Sequence, residues 1–291
     1  MRKPAALRLR MERLFPLRDF DLALPGTDRR YTITLPANPN EPLDRFAAVL
    51  GARTTEQVRA LADRQAAATH AADQARAAVA SGERMPYWAL AWPSGQALAA
   101  ALLATPAAVR GRRTLELGCG LGVTAAAALD AGAALWAADC FPEALLFCGY
   151  NSLRASGRTP HSLLLDWRSP AGRDTCQALA PFDLLLAADV LYERDDLNPL
   201  LSLAPRLLSP TGAFWLAEPG RSVARTFVAT LQERGWHDAE TIYERAWPPF
   251  GDTVRVAVHR LTPPVPPFAS PATAATSGAS HAAEHATSAE A

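Results

Sequence analysis

A chain of 291 residues with 49% apolar side chains can bury one large α/β domain and an appendage. Its 29 basic and 29 acidic residues balance, which excludes an overall field that would draw it to a nucleic-acid backbone or an anionic membrane. Lys3 is the only lysine, which excludes a lysine base or Schiff base inside the fold; the four cysteines form no CxxC pair, so neither a zinc site nor a disulfide framework is expected.

The start, "MRKPAALRLRMERLFPLRDF", carries Arg8, Arg10 and Arg13, which interrupt any apolar segment of signal-peptide length. No window approaches the roughly 20 apolar residues of a membrane span. These features predict a soluble, cytoplasmic protein with no membrane partner, an organellar transit peptide being the alternative reading of the start; the chain is expected to act as a monomer. "FDLALPGTDRRYTITLP" predicts a hairpin that pairs Phe20 to Leu24 with Tyr31 to Leu35 around a Gly/Asp turn. "TTEQVRALADRQAAATHAADQARAAVASG" predicts an Ala-rich helix capped by Thr54 and stopped by Gly82. Residues 1–80 therefore read as an N-terminal extension, ahead of a domain at 81–262. Residues 263–291, rich in Pro, Ala, Ser and Thr, read as a disordered tail.

From residue 81 the pattern alternates. "GQALAAALLATPAAV" reads as a helix, "RRTLELG" as a buried strand and "GVTAAAALDAG" as a helix ended by Gly132. "ALWAADC" is a strand, and "PEALLFCGYNSLRASG" a helix with Pro142 in its first turn. "HSLLLDW" and "FDLLLAADVLY" are further strands, and "LNPLLSLAPRLLS" a helix. "GAFWLAEPG" is a strand and "RSVARTFVATLQERG" a helix, before a closing hairpin of "HDAETIYER" with "TVRVAVHRL". The order predicts a Rossmann-like α/β fold: a seven-stranded, mostly parallel sheet with helices on both faces and a terminal antiparallel hairpin.

The chemistry concentrates at strand ends. In "LELGCGLG", Gly118, Gly120 and Gly122 follow Glu116 at alternate positions, and such residues let a backbone approach a ligand closely or take positive φ. A dinucleotide fingerprint would place glycine where Val123 stands, and no GK[ST] marks a P-loop. Asp139 ends the next strand, 21 residues after Gly118, close to the roughly 20-residue offset at which α/β folds set a carboxylate on ribose hydroxyls. It could equally cap the helix that follows. Asp166 could accept from an exocyclic amine and Trp167 offers a flat apolar surface. Cys119 reads as a small filler in the glycine turn rather than a nucleophile.

Together these motifs resemble the class I, seven-strand S-adenosylmethionine-dependent methyltransferases. "PYWALAWPSG", "ADVLY" and "AEPGR" narrow the resemblance to the family 16 protein-lysine methyltransferases, which include the electron-transfer-flavoprotein β-subunit lysine methyltransferases and bacterial relatives; the match runs over roughly residues 84–261. The resemblance implies S-adenosyl-L-methionine as cofactor, with Glu116, Gly118, Gly120 and Gly122 around its methionine part. It implies Asp139 on the ribose, Asp166 and Trp167 on the adenine, Trp92 lining the cofactor pocket near the amino-acid end, and Asp189 on the cofactor as well. The family's DxxY signature falls on Asp189 and Tyr192, where the acceptor amine should arrive. Glu218 and Arg221 occupy a substrate-side loop, with Glu218 where many relatives carry aspartate.

The activity implied is N-methylation of a lysine on a protein substrate, with no metal and no nucleic-acid partner. A sulfonium methyl is already activated, so transfer needs a neutral amine held in line, and positioning supplies much of the acceleration. Asp189 could orient the amine or accept its proton, while Tyr192 and Trp88 could wall the cationic side chain. The alternatives are a small-molecule amine N-methyltransferase and a non-catalytic cofactor-binding protein of the same fold. On a purely structural reading Tyr192 ends a strand, and Trp88 and Trp92, four apart, form a hydrophobic cluster.

Overall fold

The computed structural model describes residues 3–45 and 85–264. The Ala-rich helix expected from Thr54 to Gly82, and the expected tail from residue 265 onward, lie outside the described residues. The chain opens with helix α1 (Lys3–Glu12) and continues into strands β1 (Leu17–Ala23) and β2 (Arg30–Pro36). These pair antiparallel with Phe20 opposite Ile33, the expected hairpin. Helix α1 was not anticipated from the arginine-rich start; Leu7 and Met11, one turn apart, give it an apolar edge, and Met11 is fully buried.

The rest alternates: α2 (Pro93–Ala104), β3 (Arg113–Leu117), α3 (Val123–Asp130), β4 (Ala134–Asp139), α4 (Pro142–Ser156), β5 (His161–Leu164), α5 (Pro170–Leu179) and β6 (Phe182–Ala188). Then come α6 (Leu197–Leu207), β7 (Leu208–Glu218), α7 (Ser222–Glu233), β8 (His237–Ala246) and β9 (Thr253–Thr262). Proline occupies the first turn of α2, α4 and α5, where its missing N–H costs nothing. Gly157, at φ +73°, ends α4 with its N–H on the Leu153 carbonyl. Helix α5, ten residues long, escaped the sequence reading; it fully buries only Gly172 and Cys176, and Ser169 caps it by accepting the Gly172 N–H at 3.0 Å.

The seven strands run in the order β5-β4-β3-β6-β7-β9-β8. β3 pairs parallel with both β4 and β6, so the strand order reverses at β3, and ligands of open α/β sheets bind beyond the carboxyl ends of strands at such a point. β9 is antiparallel to both neighbours and inserts between β7 and β8. The central strands are buried on both faces by strict alternation. Leu184 and Leu186 enter one core with α2, α3, α4 and the N-terminal hairpin; Leu185 and Ala187 enter the other, with α5, α6 and α7. Among the described residues no helix is long and apolar enough to cross a membrane.

The hairpin is joined to the sheet domain by more than apolar contact. Fully buried Asn151 on α4 accepts the Thr34 N–H at 2.8 Å and donates to the Thr34 and Leu121 carbonyls, each at 2.9 Å. One amide thus satisfies backbone groups of β2 and of the turn between β3 and α3. Asn151→Leu would keep the volume and strand three buried backbone groups, each costing about 1–3 kcal/mol. The expected outcome is a loss of at least about 3 kcal/mol in urea unfolding at unchanged m-value, and a loss below about 0.5 kcal/mol would show that the amide does not carry this junction.

Candidate functional site

The β3–α3 turn is built by left-handed residues at alternate positions: Gly118, Gly120 and Gly122 have φ of +71°, +49° and +82°. The need for glycine comes from the protein's own packing. A Cβ on Gly118 would lie 2.8 Å from Val190 Cγ1, and one on Gly122 would lie 2.7 Å from Cys148 Cα. Cys119 is a buried, free thiol whose proton is held firmly by contact with Cys148 and by burial, which fits a filler. Asp139, at the end of β4, closes the turn: its two oxygens accept the Gly120 and Phe141 N–H groups, each at 3.0 Å. The ribose and cap readings are therefore not exclusive, since one carboxylate steadies the turn and the entry to α4 while it lines a cleft.

That cleft lies over the carboxyl ends of β3, β4 and β6 and opens to solvent. It gathers Trp88, Trp92, Glu116, Gly118, Gly120, Gly122, Asp139, Trp167, Asp189 and Tyr192, residues from five separated segments. Glu116 is 2% exposed, and its Oε2 has no hydrogen-bond partner. Burial, with the charge of Asp139, pushes its carboxyl well above the usual range. A buried polar atom left open on a cleft wall is suited to a ligand that brings a donor. Paired with Asp139, it matches a ligand that carries an ammonium and hydroxyl groups, as S-adenosylmethionine does. Among the described residues no cluster of His, Cys, Asp or Glu could hold a metal ion.

Two expected residues sit elsewhere. β5 ends at Leu164, so Asp166 falls in the following turn and is not on the cleft wall. Its Oδ1 accepts the Arg168 N–H at 2.9 Å and its carbonyl accepts from Ser169, the cap of α5. Only its neighbour Trp167 reaches the cleft. Glu218 also lies off the wall, 4% exposed, with Oε2 accepting the Gly220 and Arg221 N–H groups at 2.5 and 2.9 Å.

The cleft opens into an outer pocket lined by Tyr87, Trp92, Asp189, Tyr192, Arg221 and the exposed Arg194 and Asp195. Asp189 stands at the junction and lines both spaces. It is the one described non-glycine residue with positive φ, +56°, and its N–H bonds the Ala217 carbonyl at 2.9 Å. Arg221 grips its carboxylate bidentately, Nε to Oδ1 at 2.6 Å and Nη2 to Oδ2 at 3.1 Å.

The aromatic wall differs from the expected one. Trp88 turns inward against Phe15 and Phe147, with ring centroids 5.8 and 5.1 Å away, and only brushes the inner cleft. Tyr87 takes its place outside, edge-on to Tyr192 at 5.7 Å and to Trp92 at 6.4 Å. Adjacent residues of the short 3-10 turn Tyr87–Ala89 point to different sides, so "PYWALAWPSG" names the wall without telling which ring faces out. Trp92 is fixed by its indole N–H on the Tyr87 carbonyl at 2.8 Å, and Phe250 from the β8–β9 loop stacks on it at 5.5 Å. Phe250 stands 158 residues after Trp92 and has no motif around it.

A family model described as lysine methyltransferase matches residues 88–234, just over half of the chain. The chain belongs to that lysine methyltransferase family. Among individual relatives it is 34% identical over 143 residues to the electron transfer flavoprotein beta subunit lysine methyltransferase of Xenopus laevis, covering 47% of this chain and 54% of that one. The Mus musculus protein of the same description is 38% identical over 113 residues, covering 38% and 41%. The chain spans about half the length, or less, of the curated relatives it matches. A structure of magnesium protoporphyrin IX methyltransferase from Synechocystis, solved with bound SAM, aligns with 57% of this chain and 78% of that one at 16% identity and TM-score 0.43. The matched segment of this lysine methyltransferase relative contains the glycine turn, Asp139, Asp189 and Tyr192, and begins at Trp88, after the N-terminal hairpin.

The loop that carries Arg221 rests on a buried ionic network. His259 on β9 lies between Asp238 Oδ2, 2.8 Å from Nδ1, and Glu218 Oε1, 3.8 Å from Nε2. Burial opposes its proton, but the two carboxylates raise the imidazole from 6.5 to about 9. Glu218 shifts the other way: burial is outweighed by His259 and by the Gly220 and Arg221 N–H groups, which hold its carboxyl below the usual range. Because the folded-state pKa of His259 is raised, its contribution is complete below pH 6.5 and fades as pH climbs through 9; at about 1.4 kcal/mol per unit it is on the order of 3 kcal/mol. Thermal unfolding followed from pH 6 to pH 9.5 should show a decline in Tm that His259→Gln largely removes, whereas parallel curves for the two proteins would contradict the network.

Proposed function

We propose that the chain is an S-adenosylmethionine-dependent N-methyltransferase acting on a lysine side chain of a protein. The observation that carries this reading is the placement of Asp189, strained and nearly buried, where an inner cleft able to hold the cofactor meets an outer pocket able to admit an amine. Glu116, with its open oxygen, would take the ammonium of the methionine part, and Asp139 the ribose hydroxyls. Trp167 would cover the base. When bound, the cofactor supplies a methyl group on a sulfonium centre, already activated toward a neutral amine. The protein's part is then to exclude water, orient the amine and favour its uncharged form.

Asp189 retains one lone pair on each oxygen beyond those used by Arg221, enough to accept one N–H of the amine and aim its lone pair inward. Tyr87, Trp92 and Tyr192 would flank the aliphatic stem of the acceptor and its cationic head on the way in. The pocket opens to solvent past exposed Arg194 and Asp195 and so presents a mouth that a polypeptide surface can approach, which favours a protein over a small molecule as acceptor. The relatives' descriptions make the electron transfer flavoprotein β subunit the first acceptor to test.

Calorimetry with S-adenosylhomocysteine should give a saturable heat, and Asp139→Ala should weaken binding at least tenfold with the fold checked by circular dichroism; absence of heat in the wild type would end the reading. Labelled S-adenosylmethionine incubated with the flavoprotein subunit, or with a cell extract, should place label on a protein lysine. Asp189→Ala should cut transfer at least a hundredfold while binding S-adenosylhomocysteine within about threefold of wild type, as expected when orientation and not cofactor capture is lost. Label confined to small molecules would move the acceptor assignment to free amines.

A further inference from the structure

The bidentate grip of Arg221 on Asp189 poses a problem for the acceptor. A lysine reaches the pocket as an ammonium whose pKa is near 10.4, yet only the neutral amine can take a methyl group. A lone carboxylate in a site where its side chain is 8% exposed would attract the ammonium strongly and make its proton harder to lose. The strained backbone at position 189 shows that the fold holds this carboxylate where the two pockets meet. We infer that Arg221 discharges Asp189, so that the acceptor amine is oriented by the carboxylate without being held in its protonated form. This rests on the methyltransferase reading above.

Three observations support the assignment. The guanidinium engages both oxygens, which cancels the field of the carboxylate and still leaves it able to accept from a neutral N–H. Arginine does not lose its proton in the working range, so the balance is permanent, which a lysine or histidine would not guarantee. The geometry is also imposed from behind: Glu218 holds the Arg221 N–H at 2.9 Å and is itself held by His259, so the side chain leaves a fixed backbone.

The charges that face the amine can be counted. The outer pocket presents Asp189, Glu193 and Asp195 against Arg194 and Arg221. Glu193 is paired with Arg168 at 2.9 Å, and Arg194 and Asp195 are exposed at the mouth. The phenols of Tyr87 and Tyr192 complete the wall; burial and the charge of Glu193 raise Tyr87, which stays protonated. With Glu193 matched by Arg168, removal of Arg221 leaves Asp189 and Asp195 against Arg194, and the excess negative charge favours the ammonium. The proton itself leaves to bulk water through the open mouth before transfer, so no further acceptor is required.

The test is the pH profile of kcat, which reports the bound amine, with saturating electron transfer flavoprotein β subunit as acceptor, for wild type, Arg221→Gln and Arg221→Lys. The ascending limb should move to higher pH by about one unit in Arg221→Gln, a loss of about tenfold at pH 7, and move back in Arg221→Lys. A second readout needs neither acceptor nor cofactor: butyltrimethylammonium, a permanent cation, should bind Arg221→Gln at least about fivefold more tightly than wild type in calorimetry. Arg221 is 41% exposed in its side chain, so its replacement should be tolerated. An unmoved limb in an active Arg221→Gln, or equal cation affinity, overturns the inference and leaves the methyltransferase reading standing. Higher activity of Arg221→Gln at pH 7 would overturn it in favour of a resident cation that merely blocks the site. A wild type that neither binds S-adenosylhomocysteine nor transfers label removes both readings, and one that binds it but ignores this subunit leaves the decision to the cation titration.

Discussion

The site depends on a backbone reversal that only glycine can make. Between β3 and α3 the chain takes left-handed φ three times in five residues while α4 and the segment after β6 press against it, closer than any side chain would permit. The reversal is locked from outside by Asp139, which gathers the Gly120 and Phe141 N–H groups, and by Asn151, which holds the Leu121 carbonyl. The glycines therefore serve the packing of the turn first. What the ligand gains is a floor whose polar groups, Glu116 and Asp139, are already aimed.

This arrangement explains why the N-terminal hairpin belongs with the site although it shares nothing with the methyltransferase motifs. Asn151 treats β2 and the glycine turn as two edges of one hydrogen-bonded surface, and Phe15 supports Trp88, whose backbone borders Gly120. Order at the turn is thereby tied to order at residues more than eighty positions earlier. A loss in the hairpin would reach the cleft through these two contacts, without any change in a cleft residue.

Much of this was legible in the sequence because it rests on local rules. Strand and helix order follows from apolar periodicity, and Gly118, Gly120, Gly122, Asp139 and Asp189 are marked by their places at strand ends. What escaped is whatever depends on direction or distance. The apolar run carries β5 on to Trp167, whereas the strand ends at Leu164 and the turn that follows sets the Asp166 carboxylate on the Arg168 N–H. Tyr87 and Trp88 are adjacent, and only tertiary packing decides which one is core. Glu218 looks like a substrate contact by position, yet a histidine forty-one residues later makes it part of a buried support. Helix α5 is short and fully buries only two small residues, and α1 hid behind its arginines.

Phe250 stacks on Trp92 from a loop that joins the last two strands, and the Pro248 carbonyl accepts from Gln96 at 2.5 Å beside it. The far end of the described chain thus roofs the entrance that an early segment floors. Donor and acceptor sides of the cavity are in this way written in separate stretches of sequence, the first between Glu116 and Asp139, the second shared by a distal hairpin and the loops that carry Tyr192 and Arg221. Variation in that hairpin can redraw the doorway while the chamber behind it keeps its shape.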